Sequence, residues 1–169
     1  PPTLPNDDTI VNMQIEGQRL LRAYKYEQYE ISAYARKELR CQHNMNYWQF
    51  GDYLGIGAGA HSKITDKNTI TRYWNHKHPK QYLKQKRCIA GQRVVKDTHI
   101  VFEYFMNRMR LNKPITENEF STHTGYKFED IKNPLNALNQ QGLITLIPDI
   151  SLTEKGRWFL NDILQHFLN

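Results

Sequence analysis

Two stretches of this 169-residue chain could do chemistry. The first is Leu54-Gly55-Ile56-Gly57-Ala58-Gly59-Ala60-His61-Ser62. Read as part of a strand from Asp52 to about Ala60, its side chains alternate faces. Gly55, Gly57 and Gly59 then share one face. Leu54, Ile56, Ala58 and Ala60 share the other, which is apolar and buried. A row of glycines weakens a strand, so it implies that something bulky lies against the bare backbone, a helix or a cofactor. His61 ends that strand, where a strand terminus would meet a bound ligand. The spacing is not a dinucleotide fingerprint, and no helix follows directly.

The second stretch is His43-Asn44-Met45-Asn46-Tyr47-Trp48. It puts an imidazole, an amide and two large aromatic rings into an expected loop. Such a group either binds something flat or packs against neighbouring structure. Imidazole is a common axial ligand of haem iron. The remaining candidates are weaker. Glu30, in an expected strand, could place a carboxylate in a cavity, or simply form a structural ion pair. His76 and His78 flank Lys77 with no carboxylate or cysteine nearby, so no metal site is expected there. Cys41 beside Arg40 is a single thiol. No Ser-His-Asp order, phosphate-binding loop or paired-carboxylate spacing stands out.

The elements that must position these residues change character along the chain. After a proline-rich start, Ile10, Met13, Gly17, Leu20, Leu21 and Tyr24 recur at helical spacing, predicting a helix over 9–25 capped by Asp8 or Thr9. Tyr29 to Tyr34 alternates as a strand. A basic stretch beyond Ala60 carries an expected helix near 69–75, ended by Pro79. Helix, strand, loop, strand, helix is the rhythm of an α/β layer, but two strands do not close a sheet. The first half therefore reads as a piece of something larger.

The second half reads as three helices, a short hairpin and a closing helix. Asp97 is expected to cap the first helix, with Val101, Phe105 and Met109 inward. Thr116 to Glu119 is a capping box for the second, which Gly125 ends. The third spans about 129–141, with Ile131, Leu135 and Leu138 inward and Gly142 as its stop. Strands 143–147 and 150–152 flank a turn at Pro148-Asp149. Thr153 caps a last helix bearing Phe159, Ile163 and Phe167 on one face. This is the order of a winged-helix domain.

Composition bounds the function. Hydrophobic residues make up 39% and charged residues 24%, enough for a core. No apolar run approaches the roughly 20 residues that span a bilayer, and no signal peptide opens the chain. A cytoplasmic protein is expected. Two cysteines, Cys41 and Cys88, are too few for a disulfide framework or a cysteine-built metal site. The net charge is +6. Residues 1–92 hold 14 Lys and Arg against 8 Asp and Glu, whereas residues 93–169 hold 9 of each. Nine basic residues and only Asp66 fall within 63–93: Lys63, Lys67, Arg72, Lys77, Lys80, Lys84, Lys86, Arg87 and Arg93. Such a run is ordinarily a solvated face; otherwise it attracts an anionic ligand or partner. The third helix of the second half offers Lys132, Asn136, Asn139 and Gln140, but the balanced charge there argues against nucleic acid, whose binding is dominated by phosphate contacts.

The strings YEQYEIS, CQHNMNYW and GDYLGIGAGAHS, followed by a helical tail with LTEKG, resemble the C-terminal part of the oxygen-independent coproporphyrinogen III oxidase family of radical S-adenosylmethionine (SAM) proteins. HNxxYW, met as His43, Asn44, Tyr47 and Trp48, marks its HemW haem-chaperone branch. The resemblance covers essentially the whole chain. It implies an incomplete (TIM-like) barrel followed by a winged-helix-like C-terminal domain. Residues 1–92 would be the end of the barrel and 93–169 the appended domain. It implies haem binding at His43, Asn44, Tyr47 and Trp48, and contacts to SAM at Gly57, Gly59, Ala60 and His61. The family's four-iron cluster is held by CxxxCxxC, which this chain lacks. Alone, it is expected neither to bind that cluster nor to cleave SAM. The implied partners are haem or a porphyrin and a haem-acceptor protein, with no membrane span. Exposed barrel edges would favour self-association, or flexibility of residues 1–92 in isolation. The alternative within the family is oxidative decarboxylation of coproporphyrinogen III to protoporphyrinogen IX.

Overall fold

A computed structural model describes residues 3–67, 69–84 and 88–168. Packing divides the chain into two units, one ending at Cys41 and the other beginning at Gln42. Among the described residues no helix is long and apolar enough to cross a membrane. Lys86 and Arg87 of the basic run lie outside the described residues.

The first unit holds helix α1, Asp7–Ala23, and a hairpin of β1, Glu27–Glu30, and β2, Ala33–Ala35. Asn6, rather than Asp8 or Thr9, caps the helix, its side chain accepting from the Thr9 amide at 2.9 Å. The expected strand 29–34 is thus a hairpin with its turn at Ile31-Ser32. Glu30 is buried, and its Oε1 accepts from the Ser32 amide at 3.0 Å. That bond closes the turn.

The second unit opens with helix α2, Gln42–Trp48, where a loop was expected. An antiparallel sheet follows: β3, His61–Asp66; β4, Thr69–Asn75; β5, Ile89–Val94. Two expectations are corrected here. The expected helix near 69–75 is strand β4, whose Thr-Ile-Thr-Arg-Tyr-Trp sequence is rich in the branched and aromatic residues that suit a pleated surface. Pro79 begins the next helix, α3, Pro79–Lys84, rather than ending one, as its fixed φ and missing N–H allow at a first turn. The expected strand from Asp52 to Ala60 is also not one. Only Tyr53 bridges to Lys63, and strand β3 starts at His61 where the predicted one should end. All described strand pairs are antiparallel.

The remainder follows the expected order. Helix α4, Asp97–Arg108, begins after Lys96, which takes the cap position expected of Asp97; it buries Val101 and Phe105, with Met109 buried just beyond its end. Helix α5, Glu117–Thr124, is capped by Thr116, which accepts from the Glu119 amide at 3.1 Å. A 3-10 turn, Phe128–Ile131, leads into α6, Lys132–Gln140, which buries Leu135 and Leu138. Strands β6, Ile144–Thr145, and β7, Ser151–Leu152, form the hairpin. Thr153 caps α7, Glu154–Trp158; the chain bends at Phe159, which stays exposed, and α8, Leu160–Gln165, buries Ile163, with Phe167 buried just beyond. The core centres on Tyr104, Phe105 and Phe120, whose rings lie 5.5 to 5.6 Å apart. Each such pair adds about 0.5–1.5 kcal/mol beyond area burial. The buried Arg108 guanidinium binds the Glu119 carboxylate and donates to the carbonyls of Lys113, at 3.1 Å, and Pro114, at 2.7 Å.

Candidate functional site

Helical spacing in α2 puts His43 and Tyr47 one turn apart, and Asn44 and Trp48 likewise. The exposed His43 ring meets Tyr47 edge-on, centroids 4.8 Å apart. Among the described residues the His43 imidazole makes no hydrogen bond. Tyr47 packs against Tyr53 at 4.2 Å, and the Arg110 guanidinium lies over Trp48 at 4.4 Å. The helix ends in a turn at Phe50, whose φ of 60° is the left-handed region. This turn drives the Phe50 ring inward against Tyr104 at 5.6 Å and His123 at 6.3 Å, with the Lys63 ammonium over it at 4.3 Å. The HNxxYW helix is thereby anchored to α4 and α5 through one buried ring.

The sheet register then builds something that no local motif announces. Lys63 on β3 stands opposite Arg72 on β4, and Arg72 stands opposite Arg93 on β5. Three cations form one row across the three strands. Like charges directly opposite each other destabilise a sheet unless countered. Asp52 counters the first. It accepts from the Lys63 ammonium at 2.8 Å and from the Thr65 amide at 2.7 Å. Lys63 also donates to the Phe50 carbonyl at 2.9 Å. Burial lowers the Lys63 pKa more than Asp52 restores it. Burial would raise Asp52, but its bonds to Lys63 and Thr65 outweigh that and hold it below the usual carboxylate range. Glu103 on α4 counters the rest. Its carboxylate accepts from Arg72 at 2.7 Å and from Arg93 at 3.2 Å. The Arg72 guanidinium also donates to the Tyr53 hydroxyl at 2.8 Å. Burial, above all, raises the Tyr53 pKa, so the phenol stays protonated.

Lys63, Arg72, Arg93, Tyr53 and Glu103 line a cavity of about 470 Å³. The three cations and Glu103 form part of its wall, with His61 and His99. Tyr47, Tyr53, Phe102 and Met106 supply ring and apolar surface. Of the sequence-predicted residues, Tyr47 and His61 meet at this cavity. His43 contacts Tyr47 but does not itself line the cavity. Asn44 and Trp48 are half-buried on α2 and do not line it. Glu30 belongs to the other unit. Sequence reasoning had read Lys63, Arg72 and Arg93 only as members of a basic run, and had missed Tyr53 and Glu103.

The glycine stretch is a loop, and this revises the argument drawn from it. Leu54 is 76% and Ile56 89% exposed, so no apolar face is buried. Gly57 has a φ of 108°, which excludes a continuing strand and favours glycine. A Cβ at Gly55 would lie 2.1 Å from the His61 carbonyl oxygen, so the bulky neighbour is the chain's own backbone. The buried Asn75 amide clamps the loop, donating to the carbonyls of Gly55 at 3.2 Å and Gly57 at 2.9 Å. The Gly57 amide donates to the Tyr82 hydroxyl at 3.2 Å.

The HemN C-terminal domain family matches residues 95–159. The chain is 43% identical over 170 residues to the haem chaperone HemW of Haemophilus influenzae, covering 99% of this chain and 44% of that protein. It is 44% identical to HemW of Escherichia coli, covering 99% and 45%. The coproporphyrinogen III oxidase HemN of Escherichia coli, a radical SAM enzyme, superposes with a TM-score of 0.70 at 18% identity, over 97% of this chain and 42% of that one. The chain is therefore similar to the C-terminal part of HemN/HemW-type proteins. It spans a little under half the length of the curated relatives it matches.

The HemW-like chain fits the family's groups unequally. The exposed imidazole of His43 beside the Tyr47 ring suits a flat ligand with a metal at its centre. The two cysteines do not suit a four-iron cluster, which takes more thiolates than this chain has. Among the described residues no three His, Cys, Asp or Glu converge on one point.

Proposed function

We propose that this chain is the haem-handling C-terminal part of a HemW-type haem chaperone. The observation that carries the reading is the HNxxYW helix. It presents an exposed imidazole, with no hydrogen bond among the described residues, against Tyr47, whose ring lines a cavity, in a chain 43% identical to a haem chaperone. In this reading His43 binds haem iron, while Tyr47 supplies ring surface against the macrocycle and Asn44 and Trp48 hold the helix in place. Gly57, Gly59, Ala60 and His61 contact SAM. The cluster and the rest of the SAM site come from a radical SAM barrel, with residues 1–92 at its end and 93–169 forming the winged-helix-like HemN-type domain. The protein works in the cytoplasm and passes haem to an acceptor protein.

A second reading is coproporphyrinogen III oxidation, favoured by the structural likeness to HemN. The two are separated by assaying the whole protein for haem transfer to an apo-acceptor and for conversion of coproporphyrinogen III. Transfer without turnover is expected. Robust oxidative decarboxylation would overturn the chaperone reading.

A further inference from the structure

The row Lys63, Arg72, Arg93 has an unequal balance of charge. Three cations stand side by side across the sheet, and two carboxylates, Asp52 and Glu103, answer them. One positive charge is left over, on the wall of a cavity. The three residues are not equivalent. The Lys63 ammonium has its three donors matched by the Phe50 carbonyl, Asp52 and Thr65. Arg72 is held by Glu103 from one side and by Tyr53 from the other. Among the described residues Arg93 makes one side-chain bond, to Glu103 at 3.2 Å, and its side chain is 64% exposed. Its remaining N–H groups are the ones open to a ligand. His99, on the first turn of α4, and His61 add two imidazoles to the same cavity wall.

A guanidinium held by one edge and open at the other is suited to a planar carboxylate, which it takes through paired N–H bonds. We infer that Arg93, with Arg72 fixed behind it, receives a carboxylate of the ligand that the cavity holds. Resting on the haem reading above, that carboxylate is a propionate of the porphyrin. The Tyr47 and Tyr53 rings connect the His43 end of the site to the cationic row, Tyr47 to Tyr53 by ring packing and Tyr53 to Arg72 by a hydrogen bond. The iron and the propionate thus have separate anchors on one continuous surface. SAM also carries a carboxylate, so the chemistry has two sources and the test includes both.

The experiment is a titration of the whole protein with haemin, followed by Soret absorbance. The variants are Arg93→Gln and His43→Ala, and the parallel ligands are haemin dimethyl ester and SAM. Arg93→Gln should bind haemin about tenfold more weakly, the value of one charge-assisted hydrogen bond in a partly exposed site. The dimethyl ester, which has no propionate charge, should bind wild type and variant alike. SAM affinity should be unchanged. The variant should melt within about 1 kcal/mol of wild type, because a largely exposed ion pair contributes little to stability. Haemin binding that depends on His43 but not on Arg93 would overturn this inference and leave the haem reading standing. A loss of SAM affinity with haemin affinity intact would assign the carboxylate to SAM and overturn the propionate. Absence of haemin binding by wild type would overturn the haem reading and this inference with it.

Discussion

Glu103 is the residue on which the electrostatics of the site turn. Its carboxylate is nearly buried and is shared by two guanidiniums, Arg72 at 2.7 Å and Arg93 at 3.2 Å. In Glu103→Gln the shape is kept and the charge is lost. Arg72, whose side chain is 19% exposed, then stands between Lys63 and Arg93 with no counter-charge of its own. Removing one partner of a fully buried pair costs about 3–5 kcal/mol. Because Arg72 and Arg93 keep some contact with water, the cost falls below that range, to about 2–3 kcal/mol. For a chain of this size that lowers Tm by about 5–10 °C, readable by circular dichroism. Adding Arg93→Gln removes the surplus cation and should restore about 1 kcal/mol, a coupling that two independent sites would not show. A Glu103→Gln protein melting within about 1 °C of wild type would refute the reasoning, since it would mean that the row is solvated and needs no counter-charge.

Further predictions follow from the glycines and from the acid side of the pH range. Gly55→Ala should destabilise by about 1–3 kcal/mol or more, because the new Cβ meets the His61 carbonyl, which no rotamer change can relieve. Gly17→Ala, in the open on α1, should instead stabilise by about 0.5–1 kcal/mol; thermal melts of the two variants check both signs. Burial would raise the Glu119 pKa, but the bonds and charge of Arg108 outweigh it and hold the group below its ordinary value of 4.5. The folded value being the lower one, this contribution is fully present above about pH 4.5 and is lost as pH falls through the folded value. Denaturant midpoints measured down the acid range should therefore fall less steeply in Glu119→Gln, and parallel slopes would contradict the assignment.

The second half of the fold was legible because its signals are local. Thr116 and Thr153 cap helices with their own side chains, and Gly125 and Gly142 follow the helices they were expected to stop. The first half was less legible because its determinants lie far apart in sequence. The stretch expected as a helix near 69–75, ended by Pro79, is strand β4, fixed by pairing on both edges, with β3 and β5. The three alternate glycines suggested a bare strand face. The actual reasons are a positive φ at Gly57 and a backbone approach at Gly55, which periodicity does not encode. The candidate site divides the same way. HNxxYW is contiguous, so its residues could be named, and helix α2 explains why they occur at that spacing. Lys63, Arg72 and Arg93 become neighbours only through the register of two antiparallel pairings, so sequence showed them only as a basic run.

The central claim is that the HNxxYW helix holds haem through His43. The most direct test is a haemin titration of wild type and His43→Ala, with a thermal melt of each. His43 is exposed and its described ring contact is edge-on with Tyr47, so the variant should melt as wild type does. The account predicts saturable binding by wild type, lost in the variant at unchanged Tm. Equal binding by the two proteins would contradict it and make the helix a structural support rather than a haem site.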